Sequence, residues 1–138
     1  MSPAAEGFPL DFSTLTPPRQ PRWYLALPEG FEAGAEPHER TAGIALAQAD
    51  ALACFKAIAL DAPRTRIVRE AGAQLELEQK SAVFGFTDKI TIEAMDAGPG
   101  MAALAIYSRA LIGYYDFGVN RKRVRRWLDA FYAAGKAK

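Results

Sequence analysis

Of three residue types the 138-residue chain holds one copy each: Cys54, His38 and Asn120. A lone cysteine excludes an internal disulfide and any structural zinc site built on cysteines. A lone histidine excludes a histidine metal cluster, and no acidic pair has recognisable ligand spacing, so neither metal nor cofactor is expected. His38 itself sits in an acidic, proline-bearing stretch where nothing points to a catalytic triad. No apolar run approaches the roughly 18 residues that a membrane-crossing helix needs. The opening residues also lack the basic start and apolar stretch of a secretory signal, which makes the cytoplasm the expected compartment. Net charge is only +1, so the chain as a whole is no polycation for nucleic acid or membrane.

The charge is nonetheless unevenly placed. Residues 117–138 carry 7 basic groups and 1 acidic group, on a body that is otherwise acidic. Two readings follow: a solvated helix face paired with the chain's own acids, or a weak attraction for an anionic partner. The run RKRVRR has no interleaved stacking aromatic besides Trp127, which helical periodicity assigns to the core. That argues against a nucleic-acid surface.

A composition 50% hydrophobic and 24% charged fits one globular unit able to close a core. Residues 1–42 are rich in Pro, Gly and Glu, which favours extended, non-helical chain. Phe8, Leu10, Phe12, Trp23, Tyr24, Leu25, Leu27 and Phe31 are too many large apolar groups for a free tail. The expectation is an ordered proline-rich N-terminal arm over residues 1–42, with residues 23–27 as a short edge strand. It packs on a single α+β domain over residues 43–138. Within that domain Gln48–Leu60 reads as a helix, with Asp50 in its first turn and a stripe of Leu52, Phe55 and Ala59. Cys54 lies beside the stripe as a small hydrophobe.

Four strand-like segments follow, over residues 65–69, 74–80, 83–95 and 101–112. In the second, Leu75 and Leu77 alternate inward with Glu76 and Glu78 outward. Short turns between sequential strands predict an antiparallel meander of about four strands, one face covered by two helices. The second helix spans residues 118–134, where Val124, Trp127, Leu128 and Phe131 fall at i, i+3, i+4 and i+7.

Against this pattern Asp88 stands out. It shares strand parity with Phe84, Phe86, Ile90 and Ile92, so a carboxylate falls among core-facing residues. Burying an unpaired carboxylate is prohibitive, so Asp88 must be paired, hydrogen-bonded, protonated or facing a wet pocket. Ser108 shares the apolar face of the last strand, and Asn120 begins the last helix on its inward side. These place Asp88, Ser108, Asn120 and either Arg121 or Arg123 around one corner. Strict alternation puts Arg109 on the opposite face unless a bulge near Gly113 turns it. Asp116 reads as a helix cap, and Gly113 and Gly118 as the punctuation of a strand-to-helix turn. The corner either locks strand to helix through a buried ion pair or holds a ligand.

The motif GYYDFGVNRKRV at residues 113–124 resembles the G-Y-S-D-L-G-V-N-R-x-R-V signature of the bacterial and plant family named domain of unknown function 1499. VFGFTDKI at residues 83–90 is similar to its second signature, and PRQPRWYLALPEG to its proline-led arm. The likeness covers roughly residues 10–132. Five positions in three places depart from that pattern: Ala110-Leu111 replace a Ser-Arg pair, Tyr115 replaces a serine, and Arg22-Trp23 replace Pro-Asn. Arg109 lies on the strand face that the missing arginine would occupy. The resemblance implies no reaction, because the family has no assigned activity.

The leading reading is a small binding or accessory module whose polar corner locks the fold or holds a small anionic group. The alternatives are a small hydrolase-like enzyme, with Asp88 as base and arginines stabilising an oxyanion, and a structural protein–protein interaction domain. For the last, an exposed apolar patch near Trp23, Tyr114 and Tyr115 is the sign to look for.

Overall fold

The computed structural model describes residues 7–81, 85–113 and 115–136. In chain order the elements are β1 (Trp23–Pro28), β2 (Glu39–Thr41), α1 (Gln48–Leu60), β3 (Thr65–Ala71), β4 (Gln74–Lys80), β5 (Thr87–Asp96), β6 (Ala102–Ala110) and α2 (Val119–Lys136). The strands form one sheet in the order β2-β1-β6-β5-β4-β3. All neighbours are antiparallel except β1 and β2, which run parallel. The fold is α+β, but the sheet is mixed and has six strands, not four antiparallel ones. The meander β3 to β6 forms four of the six. Residues 23–27 are not an edge strand either: β2 pairs along the outer side of β1, which lies inside the sheet.

On one face of the sheet Leu75, Leu77, Ile90, Ile92, Leu104 and Ile106 are buried against both helices. Ala51, Phe55 and Ala59 supply the buried side of α1. Ala51 takes the place predicted for Leu52, which is only partly buried. Two alanines flanking one large ring let the helix lie close to the sheet. From α2 come Val124, Trp127, Leu128 and Phe131, at the predicted spacing. Phe55 meets the Trp127 ring edge-on at 5.7 Å. Burying each such ring contributes about 2–3 kcal/mol.

The other face is not left to solvent. Leu10, Phe12 and Leu15 cluster there with Leu25, Leu27, Ala105 and Tyr107. The Gln74 side chain accepts the N–H of Leu10 at 2.8 Å and donates to its carbonyl at 2.5 Å, fastening that segment to β4. Glu76, expected to point into water, is 3% exposed. Arg69 grips it with two bonds of 2.7 and 2.9 Å, and Lys89 approaches to 3.6 Å. Burial opposes its charge, yet these cations hold the carboxyl below its usual range.

The strand ends differ from expectation where the loops begin. The Ser81 N–H donates to the Phe86 carbonyl at 2.9 Å, and its hydroxyl accepts the Phe86 N–H at 3.1 Å. This turn delays β5 to Thr87, so Phe86 escapes the core-facing parity and is 49% exposed. Phe84 lies outside the described residues. At the neighbouring end β6 stops at Ala110, not at residue 112, and leaves Leu111 and Ile112 exposed. The last helix starts at Val119 and runs on to Lys136. Among the described residues no helix is long and apolar enough to cross a membrane.

Candidate functional site

β5, β6 and the first turn of α2 converge beside the end of the sheet where β5 begins and β6 finishes. Asp88 pairs with Ala110 across the two strands, and Ser108 lies one core-facing position further in, opposite Ile90. On α2, Asn120 and Arg123 are one turn apart and share the side that carries Val124. Ser108 and Asn120 are fully buried, and Arg123 nearly so.

Every nitrogen of the Arg123 guanidinium is engaged. Nη2 donates to Asp88 Oδ2 at 2.8 Å, and Nε to Gln79 Oε1 at 2.6 Å. Nη1 donates to Ser108 Oγ at 3.0 Å and to Asn120 Oδ1 at 2.7 Å. Ser108 Oγ in turn donates to the same Asn120 oxygen at 2.6 Å. The Asn120 amide nitrogen donates to Asp116 Oδ2 at 2.7 Å and to the Arg22 carbonyl at 3.2 Å. Burial pushes the Asp88 carboxyl above its usual range, Arg123 pulls it back, and the charge of Asp116 adds to the push.

Asp116 fills the helix N-terminus. Its Oδ1 accepts the Gly118 N–H at 2.9 Å and its Oδ2 the Asn120 N–H at 3.2 Å. These are donors that an external anion would otherwise find there. The turn that brings Asp116 into place needs positive φ at Gly113 (96°) and Gly118 (78°).

The structure therefore joins Asp88, Ser108, Asn120 and Arg123. It does not bring Arg109 or Arg121 to them. Arg109 lies on the opposite sheet face, as alternation demands, donating to Thr91 Oγ1 at 3.0 Å and lying over the Tyr107 ring at 4.4 Å. Arg121 follows Asn120 by about 100° around the helix and points into solvent. Two contributors went unseen in the sequence. Gln79 is on β4, the strand beyond β5, and Arg22 acts through its carbonyl and through Nη1, which donates to the Gly113 carbonyl at 2.8 Å. Strand parity relative to Leu75 and Leu77 could have placed Gln79 on this face. Arg22 stands out in the sequence only as a departure from the family's arm, with nothing to tie it to this corner.

Beyond the corner, the same end of the sheet carries a second feature. Phe86, Leu111, Ile112, Tyr115, Phe117 and Val119 are large apolar side chains left exposed, and Leu60 at the end of α1 joins them. Among the described residues only Met101, at the opposite hairpin, is an exposed large hydrophobe elsewhere. Ile112 is 61% exposed and Phe117 79%. Tyr114, part of the patch anticipated from the sequence, lies outside the described residues.

Fold and corner define a class of protein: a six-stranded mixed sheet with two helices on one face, its last helix tied to the sheet by a buried arginine. The chain belongs to the family described as "Protein of unknown function (DUF1499)", whose model matches residues 11–131. A comparison with curated proteins finds no match.

Proposed function

We propose that the protein is a non-enzymatic binding module, in which the polar corner is a lock and the apolar end of the sheet is the binding face. The observation that carries this reading is the crowding of exposed large apolar side chains at one end of the molecule. Soluble surfaces seldom leave such groups contiguous unless something covers them. The corner sits directly behind that end. Four of the five N–H donors of its arginine are already engaged and its helix N-terminus is filled by Asp116, which supports a structural role over a small-anion site. A hydrolase would need Asp88 free to take a proton, whereas Arg123 holds one of its oxygens at 2.8 Å. Locking Asn120 and Asp116 fixes the turn of residues 115–118, and with it the side chains of the face. The packing of Leu10, Phe12 and Leu15 on the second sheet face supports the described part of residues 1–42 as an ordered arm packed on the domain of residues 43–138.

The test is site-specific photo-crosslinking in cells that express the full chain, with a photoreactive phenylalanine at position 117 or, as control, at exposed position 129. Adducts at 117 that are missing at 129 are the expected result. Equal or absent labelling at both positions rejects the binding face.

A further inference from the structure

Resting on that reading of the apolar end, we infer that its partner is an anionic lipid surface, into which the loops at the ends of β5 and β6 insert. The charges around the apolar side chains carry this choice. Arg64 and Lys80 are exposed where β3 begins and β4 ends, at the same end of the sheet as Phe86, and Arg121 and Lys122 are exposed in the first turn of α2. The acids of this end are turned inward or paired. Asp88 is bound to Arg123, both oxygens of Asp116 are taken by the helix start and Asn120, and Glu78 pairs with Arg66 at 2.7 Å. Among the described residues Asp61 is the one exception, exposed beside the end of α1.

Aromatic and branched aliphatic groups at the centre, with lysine and arginine at the rim, match the two-part demand of a bilayer interface. The apolar groups enter the headgroup–acyl boundary and the cations meet anionic headgroups. A protein partner of ordinary composition offers acids at a few points, whereas an anionic membrane satisfies the cations of the β3–β4 end and those of the first turn of α2 together. Phe117 adds a further sign. It is the most exposed large hydrophobe among the described residues and holds φ at 55°, a conformation that disfavours a bulky side chain. Its ring meets the Tyr115 ring edge-on at 5.0 Å, but Tyr115 is itself an exposed member of the patch, so this contact buries little of either and leaves insertion into an interface as the use of a phenylalanine there.

The test is co-sedimentation of the full chain with vesicles of mixed phosphatidylglycerol and phosphatidylcholine, against vesicles of phosphatidylcholine alone. The expected result is binding to the anionic vesicles only, weakened by salt as the charges are screened. A double change of Ile112→Ser and Phe117→Ser should lower the vesicle affinity by about tenfold or more with the melting temperature unchanged. Arg121→Ser with Lys122→Ser should lower it by a similar factor, on the order of tenfold. Failure to bind anionic vesicles at low salt overturns the inference, and so does binding that survives both pairs of changes. A chain that dimerises through this face without lipid, and becomes monomeric on Phe117→Ser, assigns the face to a second copy and also overturns it. Crosslinking at position 117 separates the two levels: protein adducts without lipid adducts reject the lipid surface but keep the binding face.

Discussion

Arg123 of the last helix and Asp88 of the fifth strand meet at 2.8 Å with little of either side chain open to water. The pair joins elements 35 residues apart in sequence, and the same guanidinium also reaches Gln79, Ser108 and Asn120. It is the point where helix, sheet and loop are fastened together.

Removing one partner of such a pair costs more than the pair is worth, because the other charge stays buried. Asp88→Ala should therefore lower the unfolding free energy by about 3–5 kcal/mol in urea titration. Arg123→Ala should cost a similar amount, and the double change less than the sum of the two, since the partners are in direct contact. Additive losses would show that the two side chains do not interact.

Asn120→Asp preserves shape while replacing the amide donor with a carboxylate oxygen. That oxygen would face Asp116 where the Asn120 nitrogen now donates at 2.7 Å, and the bond to the Arg22 carbonyl would be lost. A loss of about 2–3 kcal/mol is expected at neutral pH, shrinking in mild acid as one of the facing carboxylates takes up a proton. Chemical denaturation at pH 7 and pH 5 checks this. A penalty that does not shrink in acid would point away from carboxylate repulsion.

The corner was partly legible in the sequence because two periodicities cross there. Ile90 and Ile92 fix the parity that turns Asp88 toward the helices, and the spacing from Val124 to Phe131 fixes the side of α2 that carries Asn120. The same helical geometry prefers Arg123 to Arg121, which lies about 100° away from Asn120. What could not be read was set by long-range pairing. β2 is three residues long with no alternation to announce it, yet it converts the expected edge strand into an interior one. Glu76 has the parity of an outward residue, and only Arg69 and Lys89 around it show why it is buried. Parity also failed at Phe86, because a hydrogen-bonded turn and not the apolar pattern decides where β5 begins.

His38 sits between Trp23, edge-on at 4.6 Å, and Tyr24, stacked at 4.7 Å. Its Nδ1 accepts the Leu25 N–H at 3.0 Å, which requires that nitrogen to carry no proton. Burial pushes its pKa below the ordinary value of 6.5. A histidine depressed in the fold contributes stability that is complete above its unfolded pKa and is lost as pH falls below it, because the unfolded chain then binds the proton first. Since His38 is the only histidine, unfolding free energies measured between pH 7.5 and 5.5 should decline toward the acid end, in the window about 6.5 where histidine titrates. In His38→Ala that decline should flatten. An unchanged slope in the variant would assign it to carboxylates.

Phe117 separates what stabilises the fold from what the fold presents. Its φ of 55° costs a non-glycine residue about 1–2 kcal/mol, and its side chain is too exposed to recover that by burial. Glycine adopts this conformation without the steric penalty but gives up about 0.4–1 kcal/mol through the greater freedom of the unfolded chain. Phe117→Gly is thus expected to raise the unfolding free energy by about 0.5 kcal/mol. The same change should weaken binding to anionic vesicles, because it deletes the most exposed ring of the patch. A variant that is both more stable and less able to bind shows that the phenylalanine is kept for contact and not for folding. A destabilised variant would instead mean that the edge-on contact of the ring with Tyr115, at 5.0 Å, holds the turn together, and the exposed face would lose its strongest member.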